Sequence, residues 1–126
     1  MKRREAREKA VQTLFQLEGT ELTVEEAMAY TLEDTKSNPF FEQLVQGTIA
    51  NQEAIDASLV EKLENWSLGR LAKVDRTILR LAVYELLYTP ETPQSVVLNE
   101  AIELSKVYGD DQSSKFINGV LSKYTA

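Results

Sequence analysis

Five of the first nine residues, Lys2, Arg3, Arg4, Arg7 and Lys9, are cationic, and only Glu5 and Glu8 oppose them. The rest of the chain carries nine positive and eighteen negative side chains, so a head of net +3 precedes a body of net −9. The planar fork of arginine matches phosphate oxygens and base edges, which gives this head the chemistry of polyanion contact. The acidic body opposes indiscriminate nucleic-acid binding, so a polyanion must be held locally. Wound on a helix, Arg3, Arg4 and Arg7 continue the apolar line of Ala10, Val11 and Leu14 instead of joining Gln12 and Gln16 on the polar face. Two placements follow. The arginines sit on the rim of a bundle, or their stems lie over the core edge with the guanidinium groups outward. A merely solubilising terminus is the bland alternative.

A second cationic set lies mid-chain. Lys73, Arg76 and Arg80 fall within roughly 60° of one another around a helix. Arg70 precedes them, and Asp75 is the sole acid between positions 70 and 80. This stripe either meets a partner or is structural, pairing with carboxylates such as Glu85 or Glu100. Near the C-terminus, Tyr108, Lys115 and Phe116 set two rings close to a cation, the mixture that stacks unpaired bases while holding phosphate; a core role for such an aromatic is the alternative.

Bond-making chemistry has little to work with. Cysteine and histidine are both absent, which removes thiol nucleophiles, disulfides, imidazole bases and ordinary zinc sites. The five glycines form neither a phosphate loop nor a dinucleotide fingerprint, and there is no EF-hand pattern. The acid pairs Glu25–Glu26 and Asp110–Asp111 sit where helices begin and serve as caps better than as a catalytic dyad. Asn99, Glu100 and Asn118 lie within apolar stretches and knit helices together. We expect no enzyme, no metal and no cofactor.

Positioning these residues falls to helices. The chain has 126 residues, 43% of them hydrophobic, which suits one compact domain with an ordinary core. The charged N-terminus lacks an apolar export segment and no window approaches a membrane span, so the expected compartment is the cytoplasm. A first amphipathic helix closes near Gly19. "LTVEE" offers Thr23 and Glu26 as a capping box for a second helix running to about Lys36. "SNP" restarts the chain with Asn38 as cap and Pro39 in the first helical position, and two helices separated near Asn51 run to about Leu63. The run from Ile78 to Tyr88 is apolar nearly all round and predicts the central helix of a bundle. Pro90 and Pro93 separate it from a helix ending at Gly109, read as a left-handed cap. Asp110 or Asp111 caps the last helix, whose stripe is Phe116, Ile117, Val120, Leu121 and Tyr124. No alternating strand pattern or repeat competes. The class is all-α, with about six or seven helices.

Three strings, "RREAREKAVQTLFQ", "LAKVDRTILRLAVYEL" and "NEAIELSKVYGDDQSSKFINGVLSK", resemble in order and spacing the NusB family of bacterial transcription antitermination factors. The resemblance covers about residues 2–18 and 66–125. It implies a helical fold of two packed subbundles that binds the boxA element of ribosomal RNA leaders together with NusE, a ribosomal small-subunit protein, and acts on RNA polymerase within the antitermination complex. By that resemblance Lys2, Arg3, Arg4 and Arg7 form an arginine-rich RNA-binding motif. Phe15 stands where relatives can carry tyrosine. Tyr108, Gln112, Lys115 and Phe116 form a second RNA-contacting patch, with Gln112 replacing an acid found in some relatives. Asp75, and more weakly Arg80, face NusE. Homodimer and monomer both stay open. Two rival readings are a NusB-like RNA-binding domain detached from a ribosomal RNA cytosine methyltransferase, and a helical protein-interaction module that never meets RNA.

Overall fold

The computed structural model describes residues 1–125. Among them are seven α-helices, two short 3-10 turns and no strand. They group into two compact units, Met1–Ala50 and Asn51–Ala126.

The first unit holds α1 (Arg3–Leu17), α2 (Val24–Leu32) and α3 (Pro39–Ala50), with α1 packed on both others. Its helix starts follow the sequence closely. Thr23 Oγ1 accepts from the Glu26 N–H at 3.1 Å while Glu26 Oε1 accepts from the Thr23 N–H at 2.9 Å, the reciprocal pair of a capping box. Asn38 Oδ1 accepts from the Phe41 N–H at 2.8 Å, with Pro39 opening α3. Gly19 turns the chain after α1 at φ +80°, a conformation that favours glycine. α2 stops at Leu32, short of the expected Lys36. Glu33, Asp34, Thr35 and Lys36 are all exposed, so no apolar face remains to dock further turns, and Glu33 leaves the helix at φ 51°. Ala6, Ala10, Val11, Ala27, Phe41, Leu44 and Val45 are fully buried. α1 and α2 are also joined by polar contacts: the Thr13 and Thr31 hydroxyls lie 2.9 Å apart and Gln16 Nε2 donates to Thr31 Oγ1 at 2.8 Å.

The second unit comprises α4 (Gln52–Lys62), a 3-10 turn (Leu68–Arg70), α5 (Lys73–Tyr88), α6 (Gln94–Tyr108), α7 (Asp111–Leu121) and a final 3-10 turn (Ser122–Tyr124). α5 packs against α4, α6 and α7 and buries residues on every side from Thr77 to Glu85. Each of Ile78, Leu79 and Leu81 contributes about 1.5–3 kcal/mol by leaving water. Asp110 Oδ1 accepts from the Ser113 N–H at 2.9 Å and caps α7. Gly109 departs from expectation. Its φ is −120°, not left-handed. Glycine is required there by crowding, because a Cβ would stand 2.7 Å from Ser113 Oγ and 3.0 Å from the Ser105 carbonyl oxygen. Tyr124 lies beyond α7 in the last turn, where its hydroxyl is 2.8 Å from Ser58 Oγ of α4. Burial there pushes the phenol pKa up.

Candidate nucleic-acid interface

The cationic head is built at the first turn of α1. Lys2 occupies the N-cap with extended backbone and no side-chain cap, and its carbonyl accepts from the Ala6 N–H at 2.9 Å. Placing cations at a helix N-terminus opposes the helix dipole at a local cost of roughly 0.3–1 kcal/mol. Lys2, Arg3 and Arg4 are exposed. Arg7 is only 3% exposed, which corrects the expectation of an outward surface shared by Arg3, Arg4 and Arg7. The apolar line that these arginines continue runs straight into the core one turn above Ala10, so Arg7 is enclosed with it. Its Cζ lies 5.2 Å from the Phe40 ring centroid, and Arg3 Cζ lies 4.1 Å from the same centroid on the start of α3. Asn38 Nδ2 donates to the Met1 carbonyl oxygen at 3.1 Å. Phe15 is half-buried further along α1.

The second unit presents a different surface. Phe116 is half-buried on α7 and meets Trp66 edge-on, with ring centroids 5.5 Å apart and planes at 61°. These rings and Asp75, Asp110 and Gln112 line an open groove of about 350 Å³. Asp75 sits in the first turn of α5, where the helix dipole favours its charge. Its Oδ1 is buried and accepts no hydrogen bond among the described residues. Gln112 and Lys115 are exposed, and Tyr108 is half-buried at the end of α6. The ends of α6 and α7 are tied by the Ser105 and Ser114 hydroxyls at 2.7 Å.

The mid-chain stripe largely turns inward. Arg76 Nη1 donates to the Leu71 carbonyl at 3.0 Å and the Leu68 carbonyl at 3.4 Å, closing the 3-10 turn. Arg80 makes a bidentate pair with Asp56 of α4, Nε–Oδ1 at 2.8 Å and Nη2–Oδ2 at 2.9 Å. Its side chain is 17% exposed. Two of its N–H donors and its charge are engaged with Asp56, so Arg80 ties α5 to α4. Arg76 and Arg80 thus act within the fold, with Asp56 as the carboxylate that meets Arg80.

Sequence reasoning missed Trp66, Phe40 and Asp56. Trp66 carried a signal, being the sole tryptophan in the chain. Phe40 carries no signal of its own in the sequence, being one apolar residue among several in its segment, and Asp56 lies outside the resembling strings.

The fold and these surfaces define a helical binding protein with an exposed cationic turn on one unit and an aromatic groove on the other. Among the described residues there is no group of three or more His, Cys, Asp or Glu placed to hold a metal ion, and no helix is long and apolar enough to cross a membrane. The chain belongs to the NusB family, whose sequence model matches residues 4–126. It is 65% identical over 125 residues to the transcription antitermination protein NusB of Lysinibacillus sphaericus (strain C3-41), spanning 99% of this chain and 98% of that one. The same comparison with the transcription antitermination protein NusB of Bacillus subtilis (strain 168) gives 52% over 122 residues, 97% and 93% of the two chains. Among solved structures, T. maritima NusB superposes with a TM-score of 0.89 at 38% identity, covering 98% of this chain and 90% of that one. A chain from a crystal structure of the antitermination factors NusB and NusE in complex with double-stranded RNA matches with a TM-score of 0.86 at 30% identity, covering 97% and 94%.

Proposed function

We propose that this chain is a transcription antitermination factor that binds boxA-type single-stranded RNA in nascent ribosomal RNA leaders together with NusE, and thereby modifies elongating RNA polymerase. The observation that carries this reading is the exposed cluster Lys2, Arg3 and Arg4 on a chain that is otherwise strongly acidic. On the first unit these cations contact phosphate and base edges and Phe15 offers a ring face; on the second, Tyr108 and Phe116 offer ring faces for unpaired bases, and Lys115 and Gln112 add polar contacts. Arg7 acts from beneath, holding the N-terminal turn in place. The action is capture without bond chemistry. NusE meets the surface at Asp75, at the start of α5. Asp75 Oδ1 lacks a donor within the described chain, and a donor from a basic ribosomal protein would satisfy it.

The test is an electrophoretic titration of boxA and scrambled RNA, each with and without NusE. We expect weak preference for boxA by the protein alone and tighter binding with NusE. Neutralising about three or four phosphates of a single strand gives a slope of roughly −2 to −3 in log affinity against log salt. Asp75→Lys should weaken NusE association about tenfold and leave RNA-only binding in place, with the charge reversal acting on one interfacial contact. Absence of RNA binding under all four conditions favours the protein-interaction module instead.

A further inference from the structure

Phe40 belongs to none of the RNA-contacting sets above, yet two guanidinium groups converge on it. Arg3 Cζ stands 4.1 Å from its ring centroid and Arg7 Cζ 5.2 Å. The two arginines differ in their surroundings, since Arg7 is buried and Arg3 is exposed. The ring therefore has one cation below solvent reach and another at the surface. One residue pair away, Asn38 both caps α3 through Oδ1 and donates through Nδ2 to the Met1 carbonyl. The beginning of α3 thus grips the beginning of the chain twice, once by a hydrogen bond to backbone and once by a ring under a side chain.

Chain ends and exposed arginines are ordinarily mobile, and ordering a long side chain on binding costs conformational entropy. A guanidinium already seated on an aromatic ring has spent part of that cost before its ligand arrives. It remains charged, and its donors stay available to phosphate. We propose that Phe40 is a positioning residue of the RNA interface: its ring seats Arg3 in a binding-ready orientation, with Arg7 held beside it and Asn38 fixing the preceding backbone. This inference rests on the RNA-binding reading and adds to it a residue that never touches RNA.

The experiment is a double-mutant cycle on affinity for the boxA oligonucleotide, measured with Arg3→Ala, Phe40→Leu and the two combined. Leucine keeps the apolar packing of α3 and removes the ring. Each single change should weaken binding about three- to tenfold, from loss of the cation–ring contact and its ordering. The combined variant should bind no worse than Arg3→Ala alone, because Phe40 acts through Arg3. Phe40→Tyr should restore wild-type affinity. Additive losses, or Phe40→Leu binding as tightly as wild type, overturn the inference while leaving the RNA reading intact. Absence of RNA binding by the unsubstituted protein overturns both. If Phe40→Leu fails to fold, the contact is read without any variant: the Arg3 side-chain methylene proton resonances of the intact protein should be shifted upfield by the ring, and unshifted resonances overturn the inference equally.

Discussion

Arg3 and Arg80 are the same residue type, each on a helix of a different unit, and they are put to opposite uses. Arg80 spends its fork on Asp56 and is mostly enclosed. Arg3 rests on the face of Phe40 and remains exposed. A carboxylate neutralises a guanidinium and engages two of its donors, whereas a ring orients it and leaves both charge and donors for something else. Positive charge counted along a sequence therefore overstates the surface available to a polyanion. What matters is the chemistry of the group each cation leans on.

The largest effect that would sharpen this contrast is charge reversal of the head. Arg3→Glu with Arg4→Glu should reduce RNA affinity at least about 100-fold, since two attractive contacts become repulsive and fewer counterions are released on binding. The urea midpoint of this variant should stay near that of wild type. Arg7→Glu should do the reverse of that pattern, failing first in stability because a buried cation is replaced by an acid beside an aromatic ring. Equal stability of the two variants would erase the distinction between exposed and enclosed arginines within α1.

Next in size comes the Asp56–Arg80 pair. Arg80→Ala should cost about 2 kcal/mol, below the range for a fully buried pair because both side chains keep some solvent contact. Asp56→Ala should cost a similar amount, and the double variant less than the sum of the two. Urea denaturation of the three proteins measures this. RNA and NusE affinities of the folded Arg80→Ala protein should match wild type, and a selective loss of NusE binding would return Arg80 to the partner surface.

The same contrast explains what could be read in the sequence. Local signals carried well: Thr23 with Glu26, Asn38 before Pro39 and Asp110 before α7 each act within three residues, so their spacing alone announces the contact. The central position of α5 followed from its all-round apolar surface. Long-range partners did not carry. Whether Arg80 is spent or available depends on Asp56, 24 residues away, and the neighbour of Phe116 is Trp66 in a connecting segment. Arg7 was misplaced because helical periodicity gives a direction around the axis but not the height at which the core ends. Gly109 was assigned to the commonest reason for a glycine after a helix, while the actual reason, closeness to Ser113, requires the packing of α7 against α6 to be known.

The smallest expected effect separates stability from binding within the first unit alone. Glu26 is held below its ordinary pKa, chiefly by the Thr23 backbone N–H and also by the Thr23 hydroxyl, both of which favour the charged carboxylate. A folded-state pKa below the unfolded one adds stability at neutral pH, which fades as pH falls through the lowered folded value and vanishes beneath both. Glu26→Gln keeps a side chain able to accept the same backbone hydrogen bond and cannot titrate. The gap in urea midpoint between wild type and Glu26→Gln should therefore narrow between pH 6 and pH 3, in steps of about one unit around the carboxylate range. RNA affinity of Glu26→Gln at neutral pH should equal that of wild type, since this carboxylate fastens the start of α2 and belongs to neither cationic surface. A gap that stays flat with pH would mean that the cap holds equally well whichever protonation state Glu26 adopts, and that the hydrogen-bond geometry, not the charge, secures this turn.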